Sequence, residues 1–244
     1  MRYSYTFFTA LSMLACSVLP SSAANFDAGE RLEYSLSWEK IPAGKTVMEF
    51  SEKTMIGDGE AFHIVATTSS NEAISYFYSL NNRIDTYIDS ENFSTFKYMS
   101  RTRENKREKH ESAEFDRLKK EIRYEKNGKI KIIESASMVY DSIASIYYLR
   151  SLNLKRGETI KLKTFSGGKL FTSDISYVKK EKITANGVIY ETIKLHSKTK
   201  EAGGLKTQKE YFIWLADNRA RTPVVIKTKI KFGYVTSELM RQSD

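Results

Sequence analysis

Apolar and polar residues alternate with period two along most of this chain, the pattern of strands that bury one face. In RLEYSLSWE the apolar positions Leu32, Tyr34, Leu36 and Trp38 fall on one side, because successive strand side chains point to opposite faces of a sheet. After the Pro42 and Gly44 turn signal comes KTVMEFSEK, and after Gly57-Asp58-Gly59 comes AFHIVATTS. RIDTYID, FSTFKYMSRTREN and REKHESAEFD continue the pattern. Two Asn-Gly pairs, Asn127-Gly128 and Asn186-Gly187, predict tight hairpins, since a type I′ turn needs two residues that tolerate positive φ.

Toward the C-terminus, Tyr211 to Leu215 is apolar on both faces, which predicts a central strand or one whose outer side is covered. From Val224 to Phe232 apolar residues alternate with Lys227, Lys229 and Lys231, so the apolar members should point inward and the lysines outward. Pro223 opens that strand, where its missing N–H costs no ladder bond.

One segment departs from the period. SMVYDSIASIYYLRSLNLKRGE carries Val139, Ile143, Ile146 and Arg150 at helical spacing, widened by Tyr140 and Tyr147. It predicts one helix over about 137–152, with Ser137 as its cap and Gly157 beyond its end. Asp141 and Arg150 stand nine positions apart on it and are expected to anchor it to strands. A shorter helical turn is expected within 70–80.

Ten or more antiparallel strands do not stay in one flat sheet, and a lone amphipathic helix must bury its stripe against them. The expected fold is all-β: a strongly curved antiparallel sheet, a half-barrel or open barrel, with the helix packed in or over it. The alternative is a two-sheet β-sandwich. No linker, repeat or composition break marks a second domain.

The N-terminus changes the compartment. Arg2, an apolar run from Phe7 to Leu19 and the small residues PSSAAN have the layout of a secretory signal peptide. The division is therefore 1–24 as signal peptide and 25–244 as a single β-rich domain, exported and most simply periplasmic. Cys16, in MLAC, offers the alternative of a lipid anchor. It is also the chain's one cysteine, so a processed protein has no disulfide and must rely on core burial. The roughly 220 residues left suffice for one all-β core. A net charge of +9 favours anionic envelope components, although lysines on exposed strand faces also simply keep sheets soluble. For an exported protein nucleic acid is not an expected partner.

Candidate chemistry is sparse. His63, His110 and His196 show no metal-binding spacing, and no metal or cofactor is expected. No Gly-x-Ser-x-Gly elbow is present, and FSGGK (165–169) lacks the spacing of a phosphate loop, so no catalytic residue is nominated. Aromatics are more suggestive, since they can line an apolar pocket while offering a polar tip. The candidate ligand-binding residues are Tyr76, Tyr78, Tyr140, Tyr147 and Trp214, with core filling as the competing role. Lys227, Lys229 and Lys231 are the candidate basic surface.

The same segments resemble a known family. YFIWLADNRARTPVVIKTKIKFGYVTSEL, with Trp214, Asp217, Pro223, Gly233 and Leu239, is similar to the C-terminal signature of the bacterial domain of unknown function 3108 family. GERLEYSLSWEKIPAGK resembles its opening, and YDSIASIYYLRSLNLKRGE its helix. Asn218 stands where that family often has a second Asp. The resemblance implies an exported, β-rich bacterial protein of unassigned activity and brings no catalytic set. A curved sheet plugged by one helix suggests a non-enzymatic carrier of a lipid-like or other amphiphilic envelope ligand. The alternative is a structural or interaction protein of envelope assembly with a fully packed core.

Overall fold

The alternation resolves into fourteen strands that form one continuous antiparallel sheet in the computed structural model, which describes residues 28–135, 137–202 and 207–243. The signal segment 1–24 and Cys16 lie outside the described residues. The first eight strands are β1 (Arg31–Trp38), β2 (Ile41–Ile56), β3 (Gly59–Ser70), β4 (Leu80–Asp89), β5 (Thr95–Glu104), β6 (Arg107–Asp116), β7 (Glu121–Lys126) and β8 (Lys129–Glu134). The other six are β9 (Thr159–Ser166), β10 (Lys169–Ala185), β11 (Val188–Glu201), β12 (Thr207–Ala216), β13 (Pro223–Lys229) and β14 (Tyr234–Ser243). A single turn of helix, α1 (Glu72–Ser75), follows β3, and α2 (Ser142–Ser151) joins β8 to β9. Both Asn-Gly pairs form the predicted turns, with Asn127, Gly128, Asn186 and Gly187 all at positive φ.

The order is β8-β7-β6-β5-β4-β3-β2-β1-β14-β13-β12-β11-β10-β9. Two meanders are thus joined by the β1–β14 pair, and the sheet's two edges, β8 and β9, are consecutive in the chain. Twist curls so wide a sheet until its edges approach, and the β8-to-β9 connection crosses the gap. That topology is what puts α2 in the interior. The expected curved, unclosed all-β fold is therefore observed, and the two-sheet sandwich is not.

The predicted helix is shorter than expected at its start. Asp141, not Ser137, caps it, accepting hydrogen bonds from the Ile143 and Ala144 N–H groups at 2.8 and 3.1 Å. Residues 138–140 instead precede the helix, and Tyr140 makes an isolated parallel bridge to Thr164 that covers part of the free edge of β9. Tyr140 N–H donates to the Lys163 carbonyl at 3.0 Å, and Phe165 N–H donates to the Tyr140 carbonyl at 2.9 Å. An exposed edge strand is a template for unwanted pairing, so this short patch protects β9.

Side chains close the same seam. Tyr124 and Phe115 pack edge-on against Phe165 at 5.6 and 5.4 Å, with Val139, Ala113 and Ile122 around them. Gly168, in the β9–β10 turn at φ +76°, lies so near β7 that an added Cβ would stand 2.5 Å from the Tyr124 ring. Gly168→Ala should therefore cost about 2–3 kcal/mol, left-handed strain plus displacement of Tyr124. Gly128→Ala, at φ +81° with open space around it, should cost only the strain of about 1–2 kcal/mol. Urea midpoints of the two variants check the difference.

Candidate functional site

Helix α2 presents two faces with different tasks. Ile143, Ala144 and Tyr147 are buried against a packed core of Leu32, Tyr34, Met48, Phe50, Ile64 and Ile88 from β1–β4. Tyr147 stacks on Phe50 at 5.1 Å between ring centroids. Ser142, Ser145, Ile146 and Leu149, spaced as one helical face, instead look onto the inner side of β9–β13 across a cavity of about 390 Å³. The interior is thus full on one side of the helix and open on the other.

Two buried charges hold the helix in that position. At its N-terminus the Asp141 carboxylate accepts from the Thr86 hydroxyl of β4 and from the Thr95 hydroxyl of β5 at 2.9 Å, besides capping the helix. Asp141 N–H donates back to Thr95 Oγ1 at 2.8 Å. Burial pushes the Asp141 carboxyl above the ordinary aspartate range against the pull of those donors. Near the C-terminus, Arg150 clasps Glu30 with Nη1 to Oε2 at 2.7 Å and Nη2 to Oε1 at 2.6 Å. Its Nε and Nη2 also donate to the Ala220 carbonyl at 3.2 and 3.1 Å. Arg150 and Glu30 are 1% and 2% exposed, so this is an ion pair taken fully out of water. Burial works against the guanidinium's charge, but the Glu30 hydrogen bonds and the electrostatic pull of Tyr147, Glu30 and Tyr34 together more than offset it, and the Arg150 pKa stays raised. The anchoring role read from Asp141 and Arg150 is what the structure shows.

The cavity has a polarity gradient. Leu149, Leu162, Ile175, Ile213 and Ile226 make its apolar end. A belt of hydroxyls follows, in which Ser173 Oγ and Thr199 Oγ1 are 2.8 Å apart, with Tyr211 beside them, its phenol raised by burial. Phe171, Ser166, Thr228 and Lys209 stand at the outer end, the Lys209 ammonium 5.5 Å from the Phe171 ring. Among the described residues Lys209 is the one charged residue in the lining, and no carboxylate or imidazole is among them.

None of the five aromatics nominated from sequence lines this cavity. Tyr147 is on the packed face of α2, and Tyr140 is buried in the edge-covering segment against Tyr148 at 4.7 Å. Tyr76 and Tyr78 are exposed in the β3–β4 connection. Trp214 lies on the outer face, where its Nε1 donates to Glu181 at 2.9 Å and Lys194 sits 4.7 Å over the indole. The three lysines are held outside the cavity. Lys227 covers the Tyr234 ring at 4.3 Å and Lys229 pairs with Glu210 at 3.3 Å. β13 ends at Lys229, so Lys231 and the exposed Ile230 and Phe232 lie past it; the inward alternation holds for Val224, Ile226 and Thr228 only.

The histidines stay away from the cavity. His63 bonds Asp85 at 3.1 Å and stacks on Tyr87; His196 bonds Glu210 at 2.8 Å and stacks on Phe212. Among the described residues no group of three or more His, Cys, Asp or Glu could hold a metal ion. Likewise, no helix among them is long and apolar enough to cross a membrane.

The family model of a protein of unknown function, DUF3108, matches residues 33–240. The chain belongs to the DUF3108 family. The match runs from β1 into β14 and so takes in the cavity, both anchors and the connecting helix. No curated protein matches the chain. Among solved structures, a β-barrel-like protein of domain of unknown function DUF1849 from Brucella abortus aligns at a TM-score of 0.61 with 11% identity, over 88% of this chain and 97% of that one. At that identity the likeness is one of fold. A protein provisionally named a lipoprotein, from Parabacteroides distasonis, aligns at 0.40 with 10% identity, over 89% and 96% of the two chains.

Proposed function

We propose that this DUF3108 protein is an exported, non-enzymatic binding protein that holds one amphiphilic envelope molecule in the space between α2 and β9–β13. The cavity carries the reading. Its volume of about 390 Å³ falls within the range of small-molecule sites, which are concave, mainly apolar and furnished with a few placed polar groups. The apolar tail lies toward Leu149, Leu162, Ile175 and Ile213. The polar head reaches the Ser173–Thr199 hydroxyls and Lys209, which favours an anionic group. Among the described residues the lining has no carboxylate or imidazole, which supports binding over hydrolysis, since acid–base chemistry needs such a group within hydrogen-bond reach of the substrate.

Ser173→Phe projects a ring into the hydroxyl belt and fills the space. Titration with a fluorescent anionic fatty-acid analogue should show one site per wild-type chain and, in the variant, affinity lower by at least about tenfold. Circular dichroism checks that the variant keeps its sheet. Equal binding by both proteins, or none by the wild type, would overturn the reading.

A further inference from the structure

The strand registers put the β1–β2, β3–β4, β5–β6, β9–β10 and β13–β14 connections at one end of the sheet. All five exposed aromatic side chains of the described residues are there: Trp38, Tyr76, Phe77, Tyr78 and Phe232. Tyr76 and Phe77 are 90% and 87% exposed, a costly arrangement in water for side chains that could have been buried. Ile41 and Ile230 are exposed beside them. Exposed aliphatics such as Leu118 and Ile189 lie in or beside turns at the other end, where no exposed aromatic is found among the described residues.

Four of these turns, all but β9–β10, are bonded in a row along the rim. Trp38 Nε1 donates to the Phe232 carbonyl at 2.7 Å, and Asn71 Nδ2 donates to the Pro42 carbonyl at 2.8 Å. Asn105 N–H donates to the Ser79 carbonyl at 2.7 Å. Basic residues are interleaved with the aromatics: Lys40, Lys106, Arg107 and Lys231 are exposed on the same turns or at their strand ends. Of the carboxylates there, Glu39 accepts from the Tyr234 N–H, Glu104 from Lys109 and from the Tyr78 hydroxyl, and Glu201 pairs with Lys169 at 2.9 Å; Glu72 and Glu108 are there too, and Glu108 lies 3.2 Å from His110.

We infer that this rim docks on an anionic lipid bilayer and holds the mouth of the cavity against it. Aromatic side chains with one apolar and one wet end partition to the headgroup level, and neighbouring lysines and arginines are drawn to anionic headgroups. Lysine is depleted at protein–protein interface cores, so aromatics mixed with lysine on separate protruding turns fit a lipid surface better than a second chain. Ser166, Phe171, Lys209 and Thr228, at the outer end of the cavity, lie on the ends of β9, β10, β12 and β13 nearest that rim. A ligand could then pass between bilayer and cavity without crossing water. That purpose rests on the proposed binding function; the docking itself does not.

Sedimentation of the full chain with vesicles tests it. Wild-type protein should bind phosphatidylglycerol-containing vesicles and bind pure phosphatidylcholine vesicles weakly. The double variant Tyr76→Ser/Phe77→Ser, both at exposed positions, should lose at least about tenfold of the affinity, while Ile189→Ser at the opposite end should not. No vesicle binding by the wild type, or equal binding by the double variant, overturns the inference. So does a dimer that the double variant dissociates, because the rim would then be a self-association surface. Ser173→Phe should leave vesicle binding intact, so failure of the cavity reading and failure of the docking are seen separately.

Discussion

Arg150→Ala is expected to destabilise the fold by about 3–5 kcal/mol, the usual result of removing one partner from a buried ion pair. Glu30, 2% exposed, would be left as a buried carboxyl group whose remaining partners among the described residues are the Tyr147 hydroxyl at 3.5 Å and the Gln242 amide at 3.4 Å. The Ala220 carbonyl would also lose its donors. Most of the cost is therefore the unpaired charge and not the absence of attraction. A double variant, Glu30→Leu/Arg150→Met, removes both charges while keeping apolar volume, and should regain most of the loss. Urea denaturation of the three proteins decides this: if the double variant is as unstable as Arg150→Ala, packing and not charge is what Arg150 supplies. Because Arg150 holds the end of α2 that carries Leu149, the single variant should also widen the cavity and weaken ligand binding.

Asp141→Ala should cost about 2–4 kcal/mol. A lost N-cap accounts for about 1 kcal/mol, and the Thr86 and Thr95 hydroxyls, both on buried residues, lose their acceptor at roughly 1 kcal/mol or more each. Asp141→Asn should be much milder, since an amide oxygen still caps the helix and the amide group can donate to the hydroxyls. The comparison also has a pH signature. The folded carboxyl titrates above its unfolded value because burial penalises its charge. Its contribution is thus fully present below the unfolded pKa of about 3.9 and is lost as pH rises through the raised folded value. The stability of wild type relative to Asp141→Asn should fall over that interval and level off above it. A difference that is flat with pH would mean that Asp141 does not titrate differently in the fold.

Both anchors were visible in the sequence as charges on an otherwise apolar helical stripe, but their partners were not. Glu30 is 120 residues from Arg150, and nothing local distinguishes it from the chain's other carboxylates. The strands were legible because one face of each is buried, which imprints period two, and the Asn-Gly turns because few residues accept their backbone angles. The start of α2 was misplaced for a physical reason: Val139 and Tyr140 continue the apolar stripe, yet they serve the seam and the β9 edge. The site was largely hidden. Alternation tells which side chains share a face, not whether the space they face is filled, so the nominated tyrosines lie elsewhere while Tyr211, not nominated, is in the lining. The signal that could have found the cavity was polar: Ser173, Ser197 and Thr199 occupy inward positions where a fully packed interior would place aliphatic side chains.

Native mass spectrometry of the protein purified from an envelope fraction without detergent tests the binding account most directly. It should record the chain carrying a single amphiphile, and Ser173→Phe purified in the same way should record the chain alone. Bare wild-type chain that also takes up no added anionic amphiphile would contradict the account and leave the space beside α2 without a ligand.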